Sequence, residues 1–126
     1  MGNLIVIAED HKELSQALCM RLKSCGFEVI PCYDGNSSFK KVKELHPDLL
    51  ILDIDLPDIN GLDLLDNIRN TSGLENIKIL VLTGLTEKFD GQNTDNELKD
   101  KLGVNAYLSK PFKTEDLVST VKELME

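Results

Sequence analysis

Five short apolar runs alternate with longer amphipathic stretches along the chain. The runs are Leu4–Ala8, Glu28–Cys32, Leu49–Leu52, Ile77–Leu82 and Val104–Leu108. Their shortness and their β-branched side chains favour strands over helices. The first, third and fourth runs are almost continuously apolar, which is typical of parallel strands that are buried on both faces. Pro31 interrupts the second run and cannot donate a ladder hydrogen bond, so this strand is predicted at a sheet edge.

Between and after these runs, hydrophobic residues recur at helical spacing. The helical positions are Leu14, Leu18 and Leu22; Phe39, Val42 and Leu45; Leu64, Leu65 and Ile68; Leu98 and Leu102; and Leu117, Val118, Val121, Leu124 and Met125. Strand and helix therefore alternate five times. This order predicts an α/β fold with a five-stranded parallel sheet and helices on both faces. With the second strand at an edge, the flavodoxin-like (βα)5 strand order 2-1-3-4-5 is favoured.

Length, charge and cysteine content narrow the function classes. The chain has 126 residues, and no linker, repeat or low-complexity tract divides it, so residues 1–126 are predicted to form one domain. The net charge is −8 without a basic stripe, which argues against a nucleic-acid interface. Leu4–Ala8 is too short for a signal-peptide core or a membrane span. Cys19, Cys25 and Cys32 lack C-x-x-C spacing, which favours reduced thiols in a cytoplasmic protein.

Polar, chemically active side chains follow the predicted strands, where ligands bind in open parallel sheets. Glu9 and Asp10 end the first strand, Asp53 the third and Thr83 the fourth, and Lys110 follows the fifth. Three close carboxylates repel each other unless a proton or a cation intervenes. Oxygen ligands without histidine or cysteine favour Mg²⁺. A carboxylate can also act as a nucleophile toward a phosphoryl group, with a lysine and a hydroxyl neutralising the transferred oxygens.

At this point the chain resembles the receiver domain of bacterial-type response regulators. The resemblance covers essentially the full length, and four segments in the expected order carry it: Ile5–Asp10, Leu50–Gly61, Val81–Gly84 and Tyr107–Phe112. It implies a signalling receiver rather than a conventional enzyme. The expected phosphodonor is a sensor histidine kinase or a phosphotransfer protein. The downstream effector and the pathway cannot be read from the sequence.

The resemblance also implies roles for residues near the metal. Asp53 is expected to be the phosphorylated residue and a ligand of Mg²⁺. Asp10 is expected to bind the metal directly and Glu9 indirectly, and the backbone carbonyl of Asp55 is expected to be a further ligand. Asp58, in the following loop, is interpreted as a turn residue.

Three further residues are expected to sense the phosphoryl group. By resemblance, Lys110 pairs with it and Thr83 hydrogen-bonds it in the active state. Tyr107 is similar to the aromatic switch residue that turns inward behind the hydroxyl residue, although a plain core tyrosine is the alternative. The family also implies a cis peptide bond between Lys110 and Pro111.

Three other interpretations remain open at the sequence level. Asp53-Ile54-Asp55, Thr83 and Lys110 also fit the order of a haloacid-dehalogenase-type phosphatase. In that family, however, the acidic pair follows the lysine, whereas here it precedes the nucleophile. A flavodoxin-type cofactor binder would need an uncharged, hydroxyl- and glycine-rich loop after the first strand. The third alternative is a receiver domain that binds partners without being phosphorylated, although every residue of the expected phosphorylation pocket is present.

The segment between Thr83 and Tyr107 departs from the family by its length. Residues 84–93 are polar and lack a helical stripe, so an extended loop is predicted there. Thr94 and Glu97 form a capping-box pattern, which predicts a short helix starting near Asp95. We interpret the loop either as a determinant of partner choice or as a tolerated surface insertion.

Overall fold

A computed structural model describes residues 2–84 and 103–126. The predicted loop after Gly84 and the short helix near Asp95 lie outside the described residues. The structure contains five strands, which are β1 (Leu4–Ala8), β2 (Glu28–Cys32), β3 (Leu49–Asp53), β4 (Lys78–Thr83) and β5 (Ala106–Ser109). All neighbouring pairs are parallel, in the order β2-β1-β3-β4-β5. The predicted sheet and its order are confirmed.

Four helices are described, and local sequence explains where most of them begin. They are α1 (Lys12–Ser24), α2 (Gly35–Leu45), α3 (Gly61–Arg69) and α4 (Thr114–Met125). The side chains of His11, Asp34 and Asn60 precede the first three helices and accept backbone N–H groups of the first turn. None of the helices in the described ranges is long and apolar enough to cross a lipid bilayer.

The sheet separates two hydrophobic clusters. Side chains of α1 and α4 pack on one face against alternate residues of the central strands, including Ile5 and Ile51. Side chains of α2 and α3 pack on the other face against the intervening residues, including Val6 and Leu50. Residues 5–8 of β1 and 49–52 of β3 are fully buried. This explains why the runs are continuously apolar, and it confirms helices on both faces.

The boundaries of β3, β4 and β5 differ from the apolar runs by one or two residues. The run beginning at Val104 predicts an earlier start for β5 than Ala106. Val104 is buried, but it packs from the turn before the strand. Asn105 closes that turn, since its side-chain oxygen accepts the Ile79 N–H at 2.9 Å. At the other end, β3 and β4 continue by one residue into Asp53 and Thr83. Regular strand geometry therefore fixes the backbone of both residues.

Candidate functional site

The carboxyl ends of adjacent strands bring the candidate residues together. Because β1, β3 and β4 are neighbours, Glu9, Asp53 and Thr83 meet at one edge of the sheet. Asp10 follows Glu9, and Lys110 follows β5. Glu9 and the side chains of Asp53 and Thr83 are almost completely buried, although all three are polar. Buried polar groups of this kind need partners, and the fold supplies them locally.

Three carboxylates form a compact cluster. One oxygen each from Glu9, Asp10 and Asp53 can be chosen so that all three lie within 4.8 Å of one another. Glu9 and Asp53 are buried, whereas Asp10 is exposed. The cluster therefore opens to solvent on the Asp10 side, where a ligand can enter. These hard oxygen donors, two of them removed from water, fit a small divalent cation that retains some of its own water ligands.

Lys110 spans the two buried carboxylates. Its Nζ lies 2.7 Å from Glu9 Oε1 and 2.9 Å from Asp53 Oδ2. A cis peptide bond joins Lys110 to Pro111, as the resemblance implies, and the Lys110 N–H donates to the Thr83 carbonyl at 2.9 Å. Burial lowers the pKa of Lys110, but the hydrogen bonds and charges of the two carboxylates outweigh it and raise the pKa overall. The ammonium therefore stays charged.

Glu9 carries a charge that its surroundings only partly compensate. Burial raises the pKa of its carboxyl, although the hydrogen bond from Lys110 and the N–H of His11, 3.0 Å away, act in the opposite direction. The nearby charge of Asp53 raises it further. Among the residues that the structure describes, Glu9 thus shares one bonded cation, Lys110, with Asp53, and this cation faces two buried carboxylates. A second cation at the cluster would relieve this repulsion.

The loop after β3 is folded back on Asp53. The Asp55 N–H donates to Asp53 Oδ1 at 2.9 Å, and Asp55 pairs with Asn60 in an isolated antiparallel bridge. Gly61 closes the loop by donating its N–H to the Ile54 carbonyl at 3.0 Å. The Asp55 backbone consequently lies next to the Asp53 carboxylate, while its side chain is exposed.

Thr83 and Tyr107 occupy the same side of the sheet. Val81 pairs with Tyr107 across the β4–β5 ladder, and Thr83 pairs with Ser109. Because side chains two residues apart on a strand share a face, Thr83 and Tyr107 point to the same face. Thr83 is buried, and Tyr107 is half-buried against the cluster that contains Val81. The aromatic ring therefore lies one layer below the strand end that carries Thr83.

Asp58 has a contact that its interpretation as a turn residue missed. Its carboxylate accepts the N–H groups of Gly35 and Asn36 at 2.7 and 3.0 Å. These bonds lower the pKa of Asp58. The partners are more than twenty positions away in the chain, and no local spacing rule connects an aspartate in one loop with the start of a distant helix. The turn interpretation was incomplete for that reason.

An open groove lies beside Lys110. It has a volume of about 380 Å³, and it is lined by Leu14, Lys110, Pro111, Phe112 and Thr114. The lining combines apolar side chains with the lysine. The groove adjoins the carboxylate cluster through Lys110, which lines the groove and contacts both Glu9 and Asp53.

Known proteins share this arrangement at the level of family. The family model for the response regulator receiver domain matches residues 5–122. The regulatory protein VanRc of Enterococcus gallinarum is 35% identical over 122 residues, which are 97% of this chain and 49% of that protein. The DNA-binding response regulator MtrA of Mycobacterium tuberculosis (strain ATCC 25618 / H37Rv) is 34% identical over 122 residues, which are 97% and 50% of the two chains. The chain thus spans about half the length of these relatives.

A solved receiver domain has a similar fold. It is the receiver domain of the sensor histidine kinase PA1611 from Pseudomonas aeruginosa PAO1, with a magnesium ion coordinated in the active site cleft. The two structures agree with a TM-score of 0.83 at 25% sequence identity, covering 99% of this chain and 98% of that one. These likenesses to receivers disfavour the dehalogenase-type and flavodoxin-type alternatives.

Proposed function

The chain belongs to the family of response regulator receiver domains, and we propose that residues 1–126 form the phosphoacceptor of a two-component phosphorelay. Asp53 accepts a phosphoryl group from the phosphohistidine of a sensor histidine kinase or a phosphotransfer protein. The observation that carries this proposal is the contact of Lys110 with both Glu9 and Asp53, beside an acidic cluster that opens to solvent. A receiver that only docks partners would not need a buried nucleophile paired with a lysine.

The reaction is a transfer between two nucleophiles. A carboxylate oxygen of Asp53 forms a bond to phosphorus while the bond from phosphorus to the donor histidine nitrogen breaks. The bonding pair leaves with the imidazole, and an acyl phosphate remains on Asp53. The Asp55 N–H, bonded to Asp53 Oδ1, orients the carboxylate for this attack. The chain catalyses only this step and the later hydrolysis, so it acts as a signalling switch rather than as an enzyme on external substrates.

Mg²⁺ fits the donor set of the site. Asp10 and Asp53 would bind it through carboxylate oxygens and Asp55 through its backbone carbonyl, and Glu9 would act indirectly. When bound, the metal supplies charge neutralisation for the phosphoryl oxygens. Burial is the main cause of the raised pKa of Glu9, and the nearby charge of Asp53 adds to it. A divalent cation would offset that charge, which supports the assignment. A related receiver coordinates magnesium in its cleft.

Lys110, Thr83 and Tyr107 convert phosphorylation into a change of shape. Lys110 now bridges Glu9 and Asp53, and a phosphoryl group on Asp53 would offer it stronger acceptors. The Thr83 hydroxyl donates to another phosphoryl oxygen. Movement of Thr83 frees space on the face that it shares with Tyr107, whose ring then turns inward. The surface above β4 and β5 changes in consequence, and this alters the binding of a downstream effector.

Cysteine chemistry, net charge and the length of the relatives bear on the location and partners of the protein. The three cysteines are unpaired, which favours a reducing compartment, and we assign the protein to the cytoplasm. The net charge of −8 is unfavourable for binding nucleic acid through this domain. Relatives that include a DNA-binding response regulator are about twice as long, so any such output would belong to a further domain.

Phosphorylation of Asp53 can be tested directly. Incubation with Mg²⁺ and acetyl phosphate should label the protein, and peptide mass spectrometry should place the phosphoryl group on Asp53. Asp53→Asn should abolish the label, and excess chelator should reduce it strongly. Asp66→Asn, which changes an exposed aspartate on α3, is the matched control and should label normally. Unchanged labelling in Asp53→Asn would refute the assignment and favour a docking-only receiver.

A further inference from the structure

Asp58 lies at the tip of the loop between β3 and α3, yet its carboxylate contacts a different helix. One oxygen accepts the Gly35 N–H at 2.7 Å and the other accepts the Asn36 N–H at 3.0 Å. These are the first two residues of α2, whose N–H groups have no acceptor within the helix. The N-cap of α2, Asp34, accepts the Ser37 N–H instead. Asp58 therefore accepts the N–H groups of the first two residues of α2, and Asp34 accepts the N–H of the third.

Side-chain packing fixes the same junction. A Cβ atom built on Gly35 would lie 1.9 Å from Ile59 Cγ2 and 3.2 Å from Asp58 Oδ1. Ile59 thus fills the space that any other residue at position 35 would need for its side chain. The loop tip is held to α2 both by hydrogen bonds and by close contact.

The base of the loop is held just as closely, directly after β3. A Cβ atom on Gly61 would lie 2.5 Å from the Ile54 Cα, so only glycine allows this approach. Asp55 pairs with Asn60, and the Asp55 N–H binds Asp53. The loop is therefore held at its tip and at its base, and the Asp55 carbonyl lies between these two points.

We propose that Asp58 is a positioning residue for the metal site. By fixing the loop tip on α2, its carboxylate orders the Asp55 carbonyl before Mg²⁺ arrives, so that less ordering is required on binding. This inference rests on the proposed function, since it assumes that the Asp55 carbonyl is a metal ligand. Asp58 itself does not touch the metal or the phosphoryl group.

The test is Mg²⁺ affinity, measured by titration calorimetry on the whole chain. Asp58→Ala should weaken binding by up to about tenfold, because Asp58 acts on Asp55 through the loop, and loss of a direct partner of a ligand usually costs about ten- to a hundredfold. Asp58→Asn keeps one acceptor oxygen and should recover part of the affinity. Gly35→Ala should also weaken binding, because its Cβ displaces Ile59 and crowds Asp58 Oδ1 without removing the carboxylate. Asp66→Ala removes an equal charge from an exposed site and should bind as the parent does.

A second measurement separates positioning from simple stabilisation. Amide exchange at Asp55 should become faster in Asp58→Ala and Gly35→Ala, in folded protein below the unfolding temperature. Parental affinity in both variants, even with a lowered melting temperature, would overturn the proposal, as would an equal loss in Asp66→Ala. If Asp58→Ala does not fold, the Mg²⁺ affinities of Asp58→Asn and Gly35→Ala test the proposal instead. A parent chain that binds Mg²⁺ and labels at Asp53 while both variants keep full affinity would refute the positioning role alone. A parent that does neither would refute both proposals.

Discussion

Glu9 and Asp53 are carboxylates that the fold removes almost completely from water. Burial of two like charges is costly unless partners are supplied, and Lys110 bonds to both. Within residues 2–84 and 103–126, the remaining imbalance is one bonded cation, Lys110, against two buried carboxylates and the neighbouring Asp10. Under the proposed function, a divalent metal would offset this imbalance, and a phosphoryl group on Asp53 would attract the lysine away from Glu9.

Lys110 should be required for switching but not for folding. Each charge-assisted hydrogen bond that it offers a phosphoryl oxygen is worth roughly 1.5–3 kcal/mol. We expect Lys110→Ala to keep a folded circular dichroism spectrum and to lose the NMR shifts that beryllofluoride induces in the parent. Thr83→Ala should do similar damage. Lys122→Ala, on the exposed side of α4, is the control. Parental shifts in Lys110→Ala or in Thr83→Ala would show that the corresponding role is wrong.

Glu9 should give the protein a pH-dependent stability in the absence of metal. Because its folded-state pKa is raised, protonation favours the folded state, and this contribution is lost as pH rises from 4.5 through the folded pKa. The neutral amide introduced by Glu9→Gln resembles the protonated carboxyl at every pH. In chelator, Glu9→Gln should therefore match the parent near or below pH 4.5 and become the more stable protein above the folded pKa. Urea unfolding at several pH values measures the difference.

The exposed Glu13→Gln change controls for loss of one negative charge on the surface. Added Mg²⁺ should reduce the stability advantage of Glu9→Gln at neutral pH, because the charge of the metal stabilises the ionised Glu9 carboxylate in the parent. A stability difference that does not vary with pH would contradict this account of Glu9.

The helices matter to the site because they fix the strands that carry it. α1 and α4 cover one face of the sheet with side chains that include Leu18 and Leu117, both fully buried. An ion pair between Arg21 and Glu115 also joins the two helices at their surface, with distances of 2.9 and 3.1 Å. Exposed pairs of this kind add little stability, so the buried contacts dominate.

Two nearby positions on α1 allow the stability contributed by a buried side chain to be compared with that of an exposed one. Leu18 is fully buried, whereas Met20 is 73% exposed. Leu18→Ala should lower the free energy of unfolding by about 2–5 kcal/mol through lost burial and a new cavity. Met20→Ala should change it by less than about 0.5 kcal/mol. Equilibrium denaturation measures both, and equal effects at the two positions would mean that α1 packs through a different face.

At the scale of the molecule, the site exists only when the sheet is formed. Glu9, Asp53 and Thr83 come from three strands, and Lys110 follows a fourth. In the unfolded chain these residues are far apart, and they have little affinity for a metal or for a phosphate analogue. Ligands that need all of them must therefore stabilise the whole fold.

Thermal unfolding should report this linkage. Mg²⁺ with beryllofluoride should raise the melting temperature, and a free ligand concentration of about one hundred times Kd corresponds to about 2.7 kcal/mol. Asp53→Asn should lose the shift caused by beryllofluoride, whereas Asp66→Asn should keep it. If the parent protein melts at the same temperature with and without Mg²⁺ and beryllofluoride, these ligands do not bind the folded state.

Much of the fold could be predicted from the pattern of apolar residues. Buried parallel strands need side chains that are apolar on both faces, so β1, β3 and β4 were recognisable as continuous runs. Pro31 identified the edge strand for the same local reason. The start of β5 was predicted less accurately, because Val104 is buried from a turn and carries the same apolar signal as a strand residue.

The sequence by itself determined which residues stand at the ends of the strands, since strand periodicity and polarity are local properties. It thereby selected Glu9, Asp10, Asp53, Thr83 and Lys110 as candidates. Only the tertiary structure decided the distances among them, because strand order and register bring together residues as far apart in the chain as Glu9 and Lys110. Tertiary structure alone also joined Asp58 to α2. Such a contact depends on where two loops meet in space, and no local pattern in either loop encodes it.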